Sequence, residues 1–196
     1  GKREIQAVAG SGDGNILVLS MRETTAPSGD FEIFRFTVTS LRTQRLTDNA
    51  VDDTHVSMSG DALKVVWEQS VLGKATIIVR SYANALTRTN FTEFSLQRNE
   101  AQRQPSLSGN GRFIALIRNL SGGQTNVFRF VLVTNRYAPI ATASLIPLEH
   151  PSISNSGRRI AWLQNDSTDE IILRDIETNT IQTVVGPVGG LEHPFL

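Results

Sequence analysis

Three histidines occupy one recurring position in the sequence. His55, His150 and His193 are the only histidines of the chain, and the last two lie in identical Leu-Glu-His-Pro tetrapeptides, 148–151 and 191–194. Neutral imidazole and carboxylate are common ligands of divalent metals, and protonated imidazole attracts anions. These histidines, with the glutamates that precede the last two, are therefore the candidates for a metal or anion site.

A structural explanation of the same position is available. Gln104 takes the position in a third copy of the repeat, and a proline follows His150. Because a repeat protein copies its structural residues, the position can instead supply one repeated hydrogen bond between neighbouring repeats. We favour this explanation, and we predict no metal, no cofactor and no catalytic residue.

Signatures of catalysis are missing from the sequence. It has no Gly-x-Ser-x-Gly elbow, no His-Glu-x-x-His and no P-loop lysine. Residues 10–14, Gly-Ser-Gly-Asp-Gly, resemble a phosphate-binding loop, but no helix follows them, so a hairpin turn is predicted. No pair of carboxylates stands out as a glycosidase pair, and the acidic residues are predicted to lie in solvated loops. Those considered are Asp30, Asp52, Asp53, Asp166, Asp169 and Glu170.

Composition excludes several other classes of function. The 196 residues include 19 Lys and Arg against 19 Asp and Glu, with no dense basic run. A nucleic-acid partner is therefore not expected, because such binding depends on a basic surface. There are no cysteines, which excludes disulfides and a thiol nucleophile. No apolar stretch is long enough to span a membrane; a removed leader before Gly1, or a partner, could still attach the chain to one.

The pattern of apolar residues predicts an all-β protein. Short segments rich in Ile, Val, Phe and Thr alternate with turn residues, and only residues 93–104 offer a helical pattern, with an apolar face too thin to pack. The strand-like segments are Ile16–Met21, Ile33–Thr39, Thr76–Tyr82, Phe113–Ile117, Val127–Thr134 and Ile171–Ile176.

Four copies of one motif recur along the chain. The stretches 9–19, 57–67, 106–116 and 152–162 align, and their turn positions are Gly14, Ala62, Gly111 and Gly157, which lie 48, 49 and 46 residues apart. Each copy reads as strand, tight turn and strand, followed by a third and a weaker fourth strand. A four-stranded antiparallel unit of this length is the period of a propeller blade.

The predicted fold is a β-propeller of about four four-stranded blades in one domain, residues 1–196. The blades cover residues 4–48, 53–96, 103–145 and 149–186 approximately, and residues 191–196 restart the repeat as a closing strand or a fifth blade. The ring is either closed with four blades or an arc of a larger propeller. In a propeller the first strand of each blade is innermost, so the histidines could surround one mouth of a central channel.

Two positions of the motif have specific structural predictions. Tight hairpins need the positive φ that glycine adopts easily, so the turn at Ala62 must differ or carry strain. Trp and Leu occupy the end of the second strand in every copy, where they are predicted to pack between adjacent blades; they are Leu19, Trp67, Leu116 and Trp162.

The later copies resemble the repeat of the TolB-type propeller family. Residues 104–116 and 150–162 follow its pattern of proline, an apolar residue, serine, a turn glycine, a basic residue and Ile-Ala before an apolar or aromatic residue. Residues 171–178 resemble its third strand, and Arg45-Leu-Thr47 resembles the Leu-Thr that closes a repeat. The usual Asp-Gly turn is kept only at Asp13-Gly14.

This resemblance implies a non-enzymatic scaffold that binds protein partners and lies in the periplasm or is otherwise exported. The chain would then be a subunit of an envelope-associated or larger assembly. Two alternatives stay open: a propeller that binds a ligand, carbohydrate or metal, and the propeller part of a larger peptidase-like enzyme. Because loops carry variable function, contacts are expected at residues 23–30, 98–104 and 136–148.

Overall fold

The computed structural model describes residues 2–23, 29–83, 91–96, 100–141, 144–165 and 169–185. The first eight strands are β1 (Arg3–Gly10), β2 (Ile16–Glu23), β3 (Glu32–Thr37), β4 (Arg42–Arg45), β5 (Asp53–Met58), β6 (Lys64–Val71), β7 (Lys74–Tyr82) and β8 (Phe91–Ser95). The next eight are β9 (Gln102–Leu107), β10 (Phe113–Asn119), β11 (Thr125–Val131), β12 (Arg136–Pro139), β13 (Leu148–Ile153), β14 (Arg159–Gln164), β15 (Glu170–Asp175) and β16 (Thr180–Val185). A 3-10 turn, Ser121–Gly123, lies between β10 and β11.

The strands form four four-stranded antiparallel sheets, as predicted for the blades of a propeller. Each sheet pairs consecutive strands: β1–β4, β5–β8, β9–β12 and β13–β16, which we call blades 1 to 4. By its contacts the chain divides into two compact units, Gly1–Arg98 with blades 1 and 2, and Asn99–Leu196 with blades 3 and 4. The single domain predicted over residues 1–196 stays a prediction.

All four first hairpins close with the same turn. In each, the N–H of the turn position donates to a serine carbonyl three residues earlier, at 2.8–3.0 Å; the donors are Gly14, Ala62, Gly111 and Gly157. Ala62 adopts a φ of +57°, the left-handed region that L-residues occupy only at a cost. The sequence predicted either a different turn at this position or a strained one, and the structure confirms the strained turn.

The core of each unit lies between its two blades. In unit one, Trp67 is 1% exposed and packs in a cluster with Val18 of blade 1. In unit two, Trp162 is 3% exposed and packs with Val127 of blade 3. The predicted packing of this position between adjacent blades is confirmed for both tryptophans, and Leu116 at the same position is fully buried.

Two of the predicted loops are shorter than the sequence suggests. Within 136–148, residues Arg136–Pro139 form β12, and Leu148 begins β13. Within 98–104, strand β9 begins at Gln102. β12 lacks an apolar run because an outer strand exposes most of its side chains. β9 lacks one because it contains a proline, which is tolerated at sheet edges and bulges. Residues 24–28 of the first loop and residues 191–196 lie outside the described residues.

Arginines of the third strands repeat with a period of two blades. Arg35 of β3 and Arg129 of β11 lie 94 residues apart, and Arg80 of β7 and Arg174 of β15 are separated by the same distance. The Nη1 of Arg129 donates to the carbonyl of Gly157 in the next blade. The second pair reaches backwards: Arg80 and Arg174 each donate to a carbonyl that follows the outer strand of the preceding blade. The two units are therefore copies of one two-blade pattern.

Candidate functional site

The recurring histidine position is a β-bulge inside the first strand of a blade. His55, Gln104 and His150 have φ values of +49°, +51° and +49°. In β5, β9 and β13, this residue and the next one oppose a single residue of the second strand of the blade. The opposed residues are Trp67, Leu116 and Trp162. Strand β13 begins at Leu148, and the bulge lets it continue past Pro151.

The bulge turns a backbone N–H toward the preceding blade. The N–H of His55 donates to Oε1 of Gln6 at 3.0 Å, and the N–H of His150 donates to Oε1 of Gln104 at 2.8 Å. Both bonds join blades of the same unit. The structural explanation of the histidine position, a repeated hydrogen bond between blades, is therefore confirmed at both residues.

The imidazole rings have acidic neighbours. Nδ1 of His55 lies 3.3 Å from Oε2 of the largely buried Glu68 and 3.2 Å from the hydroxyl of Thr54. Nε2 of His150 lies 3.8 Å from Oε2 of Glu149. Among the described residues, no group of three or more His, Cys, Asp or Glu side chains is placed to hold one metal ion. His193 lies outside the described residues, so the metal candidate at the three histidines stays a prediction.

Asp53 is a buried carboxylate that the sequence analysis placed in a solvated loop, and that prediction is wrong. Asp53 is the first residue of β5 and has no exposed surface. Its Oδ1 accepts hydrogen bonds from Nε1 of Trp67 and Nε2 of Gln69, both at 3.0 Å. Its Oδ2 accepts from Nδ2 of Asn49 at 2.8 Å, and its carbonyl accepts from Ser20 of blade 1 at 2.8 Å. These donors replace the solvent that a loop position would provide.

Burial raises the pKa of the Asp53 carboxyl, although the side-chain donors around it oppose that shift. The matching position in unit two is Leu148, which is 95 residues further along the chain. There, the Nε1 of Trp162 is buried without a hydrogen-bond partner. Asp53 is therefore a feature of unit one and not a general requirement of the blade.

Of the other acidic residues considered, Asp52 is exposed and accepts the N–H of Phe31 at 2.9 Å, as a loop carboxylate would. Glu170 is half-buried and begins β15. Asp166 lies outside the described residues. Nothing in the sequence distinguishes Asp53 from Asp52, since the donors to the Asp53 carboxylate lie up to 16 positions away.

A cavity of about 300 Å³ lies at the hairpin end of unit one. Its wall includes Arg35, which is 1% exposed, and the carboxylates of Asp13 and Asp61 from the two hairpin turns. The remaining lining residues are Ser11, Asn15, Ile16, Thr37, Thr39, Gly60 and Ala62. The sequence analysis did not predict this cavity. Its signal is the aligned pair of hairpin residues, Ile16 and Ala62 in unit one against Phe113 and Gly157 in unit two, because isoleucine is smaller than phenylalanine.

The outer strand of blade 2 exposes two aromatic side chains. Phe91 and Phe94 of β8 are 49% and 42% exposed. Phe91 makes an edge-on contact with Tyr82 at 6.1 Å between ring centroids, and the guanidinium of Arg80 lies 4.4 Å from the Phe91 ring centre. A cavity of about 250 Å³ adjoins this strand and is lined by Ser81, Tyr82, Ala83, Phe91 and Thr92.

Comparisons with known proteins identify the fold. No family model and no curated protein matches the sequence. Among solved structures, TolB from Acinetobacter baumannii matches with a TM-score of 0.73 at 15% identity, covering 97% of this chain and 45% of that one. The chain has a TolB-like β-propeller fold.

Other matches to this TolB-like fold include enzymes. A protein assigned as TolB from Agrobacterium tumefaciens matches with a TM-score of 0.66 at 15% identity, covering 94% of this chain and 81% of that one. An oligogalacturonate lyase in complex with manganese matches at 0.67 and 11% identity, covering 92% of this chain and 52% of the lyase. A prolyl endopeptidase matches at 0.65 and 12% identity, covering 95% of this chain and 29% of the peptidase. The chain thus spans less than half of the Acinetobacter TolB, and likeness at this identity carries the fold alone.

In the part of the chain that the structure describes, no helix has the length and apolar character needed to cross a membrane.

Proposed function

We propose that this chain is a non-enzymatic interaction module that binds a protein partner in the bacterial envelope. The observation that carries the proposal is the exposed aromatic edge of β8, formed by Phe91 and Phe94. Aromatic side chains are enriched in protein interfaces, where they contribute much of the binding energy. The TolB-like fold and the repeat resemblance support location in the envelope and membership of a larger assembly.

The aromatic edge is held ready for a partner. Phe91 is fixed by its contact with Tyr82 and by Arg80, whose side chain is only 9% exposed and pairs with Glu93 at 2.6 Å. A side chain that is ordered before binding loses little entropy on association. As β8 is the last strand of its sheet, an extended segment of a partner can pair with it and place an apolar side chain in the adjoining cavity.

Site-specific crosslinking in cells tests the proposal. A photo-crosslinking amino acid at position 94 is expected to capture one defined protein, which is then identified, purified and mixed with the wild-type chain. Phe94→Ser is expected to weaken that purified complex by about tenfold or more, because loss of an aromatic anchor costs roughly 2 kcal/mol.

Leu72→Ser supplies the matched control. Leu72 is fully exposed in the turn after β6 of the same blade, so its substitution removes an exposed apolar side chain elsewhere and should leave the complex unchanged. The proposal is wrong if the crosslinked protein does not bind the purified chain, or if both substitutions weaken the complex equally.

A further inference from the structure

Three of the four blades have an outer strand that is protected against pairing with another chain. Exposed edge strands invite such pairing, and proteins block them with charged side chains, above all basic ones, with prolines or with bulges. Strand β4 carries the exposed Arg42 and Arg45, and β12 contains Pro139. Strand β16 has a bulge at Val184, which interrupts its pairing with β15.

The outer strand of blade 2, β8, is the least protected of the four. Its sequence, Phe-Thr-Glu-Phe-Ser, has no proline and no basic residue, and its pairing with β7 runs without a shift in register. The one charge of this strand, on Glu93, is paired with the guanidinium of Arg80 at 2.6 Å. Strand β8 is therefore the outer strand best suited to accept a further strand.

The register between β7 and β8 fixes which backbone groups of β8 point outward. In an antiparallel pair, residues that bond to the neighbouring strand alternate with residues whose N–H and C=O groups point away from it. The N–H of Leu96 donates to the carbonyl of Ile77 at 2.8 Å and continues the register of the two strands. Every second residue before Leu96 therefore bonds to β7. The residues between them direct their N–H and C=O groups toward the open edge, and these are Phe91, Glu93 and Ser95.

Blade 3 shows how the same edge is blocked. The N–H of Ile140 donates to the carbonyl of Val127 in β11 at 2.8 Å, which matches the bond made by Leu96 in blade 2. Pro139 therefore occupies the position of Ser95. A proline nitrogen carries no hydrogen, so Pro139 offers no donor to a further strand and costs β12 no bond to β11. Ser95 keeps the donor that Pro139 lacks.

The side chains of β8 define the segment that fits it. Phe91 and Phe94 lie three residues apart, so they project from opposite faces of the sheet, and both are partly exposed. The contacts from Arg80 end on Oε2 of Glu93, which leaves Oε1 to accept from a partner. An acidic side chain opposite Glu93 would be repelled. The matching segment therefore has apolar residues three positions apart, with a donor such as serine, threonine or lysine between them.

We propose that the partner adds an extended segment of this kind to β8 as a fifth strand of blade 2. The backbone of the segment bonds to the outward N–H and C=O groups of Phe91, Glu93 and Ser95, and its apolar side chains pack on Phe91 and Phe94. This inference rests on the proposed function and adds the mode of binding. Backbone pairing selects an extended strand, and the side chains select its sequence.

Hydrogen exchange followed by NMR tests the proposal with the wild-type chain and the purified protein that crosslinks to position 94. On binding, exchange of the N–H groups of Phe91, Glu93 and Ser95 should slow by at least about tenfold, because each outward group gains a partner or is enclosed by one. Exchange at Thr92 and Phe94, whose N–H groups already bond to β7, should change by less than about threefold. Equal changes at all five residues would mean that the partner covers the strand without pairing with it, and the proposal would be wrong.

Two substitutions at one position supply an independent test. Ser95→Pro removes the outward N–H, as Pro139 does in blade 3, and should weaken the complex by about tenfold. Ser95→Ala removes only the hydroxyl, which lies 3.2 Å from that of Thr76. This control should keep the affinity within about twofold of the wild type. Circular dichroism checks that both variants fold, and if Ser95→Pro does not fold, the exchange pattern decides alone.

Each failure has its own signature. If Phe94→Ser weakens the complex but a folded Ser95→Pro variant does not, the surface is correct and strand addition is wrong. Equal losses for both substitutions of Ser95 would assign the effect to the hydroxyl and overturn the proposal. If no purified protein binds the wild-type chain, the proposed function fails and this inference fails with it.

Discussion

Replacing Gly157 by alanine should destabilise the chain far more than the same replacement of Gly14. Both glycines hold the same turn position, and their φ values are similar, +76° and +70°. They differ in surroundings. No atom lies within 4 Å of a Cβ built on Gly14, whereas a Cβ on Gly157 would meet three ring atoms of Phe113 between 2.1 and 2.9 Å.

The expected cost follows from two contributions. An L-residue in the left-handed region costs roughly 1–2 kcal/mol, and both variants bear this cost. Only Gly157→Ala must also displace a ring that packs against the core cluster of unit two, and overpacking typically costs about 1–3 kcal/mol. We therefore expect Gly157→Ala to lower the free energy of unfolding by about 2–5 kcal/mol, against about 1–2 kcal/mol for Gly14→Ala.

Urea unfolding followed by circular dichroism measures both variants, and a double-mutant cycle with Phe113→Ile isolates the clash. The double variant Phe113→Ile with Gly157→Ala reproduces the Ile16–Ala62 pair, which unit one accommodates. Its loss of stability should be smaller than the sum of the single losses by at least about 1 kcal/mol.

Two results would refute this reasoning. One is a Gly157→Ala variant no less stable than Gly14→Ala, which would mean that the ring moves aside without cost. The other is additivity of the two substitutions at 113 and 157, which would mean that their side chains do not compete for space. Either result would also remove the packing argument for the cavity in unit one.

The remaining predictions concern buried polar groups. Burial raises the pKa of Asp53, so the folded state holds the carboxyl proton more tightly than the unfolded state does. The stability of the wild type relative to Asp53→Asn should therefore fall as the pH rises from about 4, the ordinary pKa of aspartate, through the raised pKa. Urea unfolding at several pH values measures this trend, and its absence would contradict the prediction. Trp67→Phe should lower the free energy of unfolding in urea by about 1–2 kcal/mol more than Trp162→Phe, because only Trp67 donates a hydrogen bond to a buried carboxylate. Equal losses would show that this bond contributes nothing. Arg80→Met should cost about 2–3 kcal/mol by thermal or urea unfolding, because it removes both the donor to the carbonyl of Leu46 and the partly buried ion pair with Glu93. Arg3→Met removes an exposed pair at 3.7 Å and should change stability by less than about 0.5 kcal/mol; a similar loss in both variants would contradict this ranking.

The blade repeat could be predicted from the sequence because its signals are local. A turn residue, two short apolar strands and a constant spacing recur four times, and each needs only a few neighbouring residues to be recognised. Even the strain at Ala62 could be predicted, because the other three copies have glycine at that position.

The polar interior could not be predicted in the same way, because its partners are distant along the chain. The bulge at His55 results from the register between two strands and has no residue signal of its own, since histidine and glutamine both adopt it. The burial of Asp53 depends on Trp67, Gln69 and Asn49, and single-residue preferences place such a carboxylate on the surface.

The two-blade period of the third-strand arginines bears on how chains of this kind grow. A gene that gained one blade would place two blades of the same kind side by side and would break the alternation between arginines that donate to the next blade and arginines that donate to the preceding one. A gene that gained a whole unit would keep this alternation. Duplication in steps of about 95 codons therefore preserves the pattern, and descendants of such an ancestor should differ from one another by an even number of blades.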